Sequence, residues 1–134
     1  MSVQSRIRYT VPADIQTVWR TVTSLTDYAW RSDLAKIERL DDTQFVEHTQ
    51  SGAATLFRVT QTQPPHLWAF DMENDYFSGH WTGRFTAVDN NCTELDFAED
   101  ITLKKWLPRW LVKFYLRRQQ QKYRRDLCRK LQNV

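Results

Sequence analysis

Apolar and polar residues alternate along most of this chain, and the alternation predicts a run of half-buried β-strands closed by one long helix. Val3, Ser5, Ile7, Tyr9 and Val11 alternate with Arg6, Arg8 and Thr10, which predicts a first strand. Pro12-Ala13-Asp14 then breaks the pattern. Asp14 is placed to cap a helix carrying Ile15, Val18, Trp19 and Val22 on one face. Thr26-Asp27 repeats the capping signal and predicts a second short helix through Tyr28 and Trp30. Strand signals follow over 36–41, 44–50, 55–62, 67–74, 77–88 and 92–103, broken by Asp41-Asp42, Ser51-Gly52, Pro64-Pro65 and Asn90-Asn91.

The faces of these strands are legible from period two. Trp68, Phe70 and Met72 share one, as do Leu95, Phe97, Ile101 and Leu103. Phe77, Trp81, Phe85 and Ala87 point inward with Gly79 and Gly83 between them, and glycine there predicts a strongly bent strand. From Pro108 to Gln132 neither Gly nor Pro interrupts, so a helix of about 25 residues, nearly 40 Å long, is predicted. Its apolar stripe includes Leu111, Leu116, Tyr123, Leu127 and Leu131, and turns polar in the middle at Gln119, Gln120 and Gln121. The order is strand, two helices, six strands, long helix. A sheet joined by such short turns is an antiparallel meander, and it must wrap the helix, leaving a cavity between them.

Three segments carry a family resemblance. They are Ile7-x-Tyr9 through Pro12-Ala13-Asp14 to Val18-Trp19; Phe77-Ser-Gly-His-Trp81-Thr-Gly83-x-Phe85; and Thr93-Glu94-Leu95-Asp96-Phe97-x-Glu99 together with Leu116-x-x-Gln119-Gln120-x-x-Tyr123. Over essentially its whole length the chain resembles the START/Bet v 1-like superfamily, the polyketide cyclase/dehydrase and lipid transport group. The resemblance implies an α+β helix-grip fold: a curved antiparallel sheet of about seven strands around the C-terminal helix, with two short helices after the first strand. It implies less about activity, because the superfamily includes carriers, cyclases, hormone receptors and co-chaperone domains.

Composition and charge sharpen this picture. The 134 residues suit one domain, which folds without disulfide or metal. Six Trp and 13% aromatics are enough both for a core and for the walls of a cavity. Charge is unevenly distributed: from Lys104 onward there are eleven Lys/Arg and one acid, Asp126, so the tail carries about +10 and the remainder about −7. A basic helix of this kind either complements an acidic sheet or docks nucleic acid, a ribosome or an anionic membrane surface. Cys92 and Cys128 match no metal or redox spacing, and two free thiols are expected. The N-terminus lacks the apolar run of a signal peptide and no segment is apolar enough to span a bilayer, so a cytoplasmic location is expected.

The informative candidates are polar residues on inward faces. Glu99 is in register with Leu95, Phe97 and Ile101, and Glu47 with Phe45 and Thr49. An inward carboxylate finds a partner or its pKa rises, and either residue is a candidate general acid/base. The alternative for Glu99 is a strand-end group that reaches water or pairs with Lys104 or Arg118. Gln120 and Tyr123 share a helix face and can hydrogen-bond a ligand. Trp30, Phe57, Phe70, Trp81 and Phe85 either form the apolar wall or are core. Trp106 and Trp110 flank Pro108 as a lid, a membrane-interface foot or a cap on the open end of the core.

His48 and His80 fall on outward positions and His66 follows a turn, so no metal site and no cofactor are expected. Asp71, Glu73 and Asp75 lack calcium-loop spacing. The expected partner is a small hydrophobic or amphipathic molecule, such as a lipid, a polyketide-like aromatic or an isoprenoid. The alternatives are a cyclase or dehydratase using Glu99 or Glu47, and a ribosome- or membrane-directed protein using the basic helix. The sequence does not set the oligomeric state.

Overall fold

A computed structural model describes residues 2–132. The strands are β1 (Ser2–Val11), β2 (Leu34–Arg39), β3 (Gln44–Thr49), β4 (Ala54–Gln63), β5 (Leu67–Glu73), β6 (Phe77–Asp89) and β7 (Cys92–Leu103). The helices are α1 (Ile15–Thr23) and α2 (Arg109–Gln132). All seven strands form one antiparallel sheet in the order β1-β7-β6-β5-β4-β3-β2. The meander runs from β2 to β7, and β1 then adds beside β7 as an edge strand, so the first and last strands pair.

Local chemistry sets the boundaries. The Asp14 side chain accepts from the Thr17 backbone N–H at 3.2 Å and caps α1, which buries Val18, Trp19 and Val22. The second short helix predicted at Thr26-Asp27 does not form. Residues 24–33 are turns and bends, because the Ser24 hydroxyl takes the Thr26 and Asp27 N–H groups in a local turn. Bulges between Leu34 and Lys36, Val59 and Gln61, and Ala87 and Asp89 help to curl the sheet.

The two inward glycines of β6 allow close approach. A Cβ on Gly79 would lie 2.7 Å from the Asp100 carbonyl oxygen, and one on Gly83 would overlap the Trp81 indole. Trp81 therefore lies flat over Gly83, stacked on Phe70 at 4.7 Å between centroids. Ala87, predicted inward, is exposed near the end of β6, beyond the reach of the core.

Along α2 the buried stripe is Val112, Leu116, Asp126, Leu127 and Leu131. Leu111, predicted in that stripe, is exposed. The sheet-facing phase of the helix runs through Val112, and one residue is a rotation of about 100°. Among the described residues no helix is long and apolar enough to cross a membrane.

The candidate cavity between sheet and helix

Pairing β1 with β7 and β7 with β6 places Ser5, Glu99 and Trp81 directly opposite one another, and Phe70 continues the same row on β5. Period two points this row at α2, where Gln120 and Tyr123 face it. The sheet and helix enclose a cavity of about 230 Å³. Its floor is Phe45, Phe57, Trp68, Phe70 and Met72, all buried. Leu25, Tyr28 and Trp30 of the α1–β2 segment and Gln119 and Lys122 of α2 also line it and are less buried.

Of the predicted site residues, Trp30, Glu47, Phe57, Phe70, Trp81, Glu99, Gln120 and Tyr123 all line this cavity. Phe85 does not. It is inward, as its register requires, but β6 runs under α1 there, and Phe85 packs edge-on against Trp19 at 5.1 Å. It is core.

Two polar groups dominate the walls. On one side the Ser5 hydroxyl donates to Gln120 Oε1 at 3.0 Å, which turns the amide so that Nε2 donates to Glu99 Oε1 at 3.4 Å. That second bond is long and weak. Burial therefore prevails over hydrogen bonding and lifts the Glu99 carboxyl from its ordinary range to about 7. Neither Lys104 nor Arg118 pairs with Glu99; Lys104 pairs with Glu73 at 3.1 Å.

Facing it across the cavity, the Arg31 guanidinium grips Glu47 through two hydrogen bonds of 2.8 and 3.0 Å, with Asp33 at 3.8 Å. Burial pulls the Arg31 pKa down, but the charge and hydrogen bonds of Glu47 outweigh it and hold it above the ordinary value. Arg31 also lies over the Tyr123 ring at 5.4 Å. Burial pushes the Tyr123 phenol well up, only partly offset by Arg31, so its hydroxyl stays protonated.

Arg31 carries no sequence signal of its own. It stands in a polar stretch, Trp30-Arg31-Ser32-Asp33, that carries no periodicity. Its only trace in the sequence is indirect: an inward Glu47 demands a cation.

That stretch is held by a third group. Asp126, buried on α2, accepts from the Ser32 backbone N–H at 2.9 Å and the Ser32 hydroxyl at 2.8 Å. Trp30 packs edge-on against Tyr123 at 5.3 Å beside this clamp. Asp126→Ala is expected to lower stability by about 2 kcal/mol, because hydrogen bonds to a charged group are lost. Asp126→Asn, which keeps one accepting oxygen, should recover most of that loss. Urea unfolding of the two variants checks this, and equal losses in both would show that the charge, not the clamp, matters.

The histidines stay on the outer surface, His48 beside Glu38 and His80 beside Asp71. Among the described residues no cluster of His, Cys, Asp or Glu could hold a metal. Cys92 and Cys128 are free thiols. Trp106 and Trp110 are 79% and 71% exposed, so they neither cover the cavity nor cap the core.

A model of the family described as polyketide cyclase / dehydrase and lipid transport matches residues 2–134. No curated protein matches the chain in sequence. Solved structures share its fold. A START superfamily protein from Mycobacterium smegmatis superposes with a TM-score of 0.87 at 14% identity, over 97% of each chain. Zhui aromatase/cyclase from Streptomyces sp. R1128 gives 0.83 at 14% identity, over 98% of this chain and 94% of that one. Norcoclaurine synthase from Thalictrum flavum, in complex with dopamine and hydroxybenzaldehyde, gives 0.69 at 10% identity, over 99% of this chain and 88% of that one.

Proposed function

Because the chain belongs to the polyketide cyclase / dehydrase and lipid transport family, we propose that it binds a small, mostly apolar ligand of one or two rings carrying an oxygen acceptor. The observation that carries this reading is the cavity itself: about 230 Å³ between sheet and helix, aromatic-walled, with Glu99 at its edge. A cavity of about 150 Å³ takes benzene, and drug-sized pockets begin at about 300 Å³. A diacyl lipid or a multi-ring polyketide would therefore protrude. Burying about 200 Å² of apolar ligand surface contributes about 5 kcal/mol, a Kd near 0.2 mM, so polar contacts must supply any tighter binding. A donor stands ready in the protonated form of Glu99. Norcoclaurine synthase, which has the same fold, is found in complex with dopamine and hydroxybenzaldehyde, both single-ring aromatics.

A suitable probe is 1-phenylbutane-1,3-dione, a ring with a diketone tail. NMR titration is expected to shift signals of Trp30, Trp81 and Tyr123, and the cavity-filling Ile37→Trp is expected to abolish the shifts. Affinity should fall as pH rises above 7, where Glu99 loses its proton, and Glu99→Gln should remove that dependence. A folded protein whose signals do not move with millimolar probe ends this reading.

A second reading is catalytic. A carboxyl that titrates near neutral pH in an apolar site is suited to moving a proton beside a carbonyl. Glu99 would take a proton from the carbon between the two carbonyls and return it to an enol oxygen or to carbon. Exchange of that carbon's protons with D2O should then be faster with the protein than with Glu99→Gln at equal probe occupancy. Equal exchange rates remove Glu99 as a base for this class of reaction.

A further inference from the structure

Away from the cavity, the entrance of α2 leaves a surface that the proposed function does not use. Its packed side is Val112 and Leu116. Trp110, Leu111 and Phe114 consequently face outward, and Trp106 and Leu107 of the preceding connection are exposed with them. Trp110 and Phe114 stand four residues apart on one helix face. A single exposed aromatic needs no explanation, but five large apolar side chains within nine residues form a patch.

The surrounding charge is of one sign. From Lys104 to Arg125 the chain holds nine Lys/Arg and no acid. Among the described residues only two of the eleven tail cations make carboxylate ion pairs, Lys104 with Glu73 and Lys130 with Asp27. The basic helix is therefore not neutralised by the acidic sheet. Some cations instead lie against the aromatics: Arg118 over Phe114 at 5.8 Å, and Lys105 over Tyr76 at 5.7 Å. Asp75, next to Tyr76 in the chain, is far outnumbered by Lys105, Arg109, Lys113, Arg117 and Arg118.

We infer that this face is a foot that docks on an anionic lipid bilayer. Trp indoles settle at the headgroup level, Leu and Phe enter the acyl boundary, and Lys and Arg meet lipid phosphates. The charge pattern decides among occupants. A second copy seated through the same patch would bring like cations face to face, which an isologous interface cannot relieve. A nucleic acid would meet the cations but leave Leu107 and Leu111 unburied.

The test is flotation of the full chain with vesicles of phosphatidylcholine alone, or with part of it replaced by phosphatidylserine. Binding to the anionic vesicles only, weakening as salt rises, is expected. Lys105→Glu/Arg109→Glu/Lys113→Glu should weaken it by about a hundredfold or more. Trp106→Ala/Trp110→Ala should weaken it by about tenfold. Both variants alter exposed residues, so their thermal unfolding should match the parent, which separates lost docking from lost fold. The inference is overturned by equal binding to both vesicle types or by none. It is also overturned by variants that bind like the parent, or by self-association or single-stranded oligonucleotide binding in place of vesicle binding. The ketone probe titration reads the cavity alone, so either conclusion can fail without the other.

Discussion

Replacing Arg31 by Met will cost the fold about 3–5 kcal/mol, a large share of the stability of a domain this size. The guanidinium and the Glu47 carboxylate are each only about 15% exposed, and each is the other's principal partner. Removing the cation strands a carboxylate in the aromatic wall, where desolvation is not repaid. The pair itself is a different quantity. Arg31→Met/Glu47→Leu places apolar groups of similar size in an apolar wall and should recover most of the loss. Urea unfolding of the two single variants and the double variant closes the cycle. A double variant as unstable as the two singles summed would mean that the residues act independently, and the salt bridge would then be geometry without energy. The same series bears on binding. Tyr123 rests against Arg31 and Trp30, so loss of the cation should also loosen the wall that a ligand would touch.

Glu99→Gln acts in the opposite direction and only at one end of the pH scale. Burial raises this carboxyl from an ordinary value near 4.5 to about 7. Between those values the folded protein keeps a proton that the unfolded chain has released. Folding stability therefore declines as pH rises across that window and levels off above it. A neutral Gln removes the decline. No gain is expected at pH 4, and a gain on the order of 3 kcal/mol is expected at pH 8. Thermal unfolding should register the gain as a rise of roughly 3 °C per kcal/mol. Destabilisation by Glu99→Gln at pH 8 would contradict the assignment, since it would require a carboxylate stabilised by its surroundings.

Much of this site was legible before any tertiary contact was known. The inward register of Glu47 and Glu99 follows from period two, because one misplaced residue would turn Phe45, Phe97 and Ile101 to water. The shared face of Gln120 and Tyr123 follows from helix geometry in the same way. The errors fall where the local signal is short or where an end meets a different neighbour. Thr26-Asp27 carries a capping residue, but Ser24 offers its backbone a local turn instead. Phe85 keeps its predicted face and loses its predicted role, since the element above it is α1. Leu111 and Val112 are equally plausible stripe members in sequence, and only the seating of α2 selects between them.

Strand faces, the long helix and the antiparallel meander can therefore be read along the chain, since they rest on periodicities of two and 3.6 and on turn chemistry between neighbours, and the family follows from the residue patterns on those strands. Packing in three dimensions is what brings Arg31 to Glu47, sets the Gln120 amide toward Glu99 through Ser5, and fastens the Ser32 turn through Asp126. These contacts join residues 16 to 115 positions apart. Their partners are chosen by how strongly the sheet curls and how deeply α2 seats, and those quantities belong to the whole packed core, leaving no pattern in any short stretch of sequence.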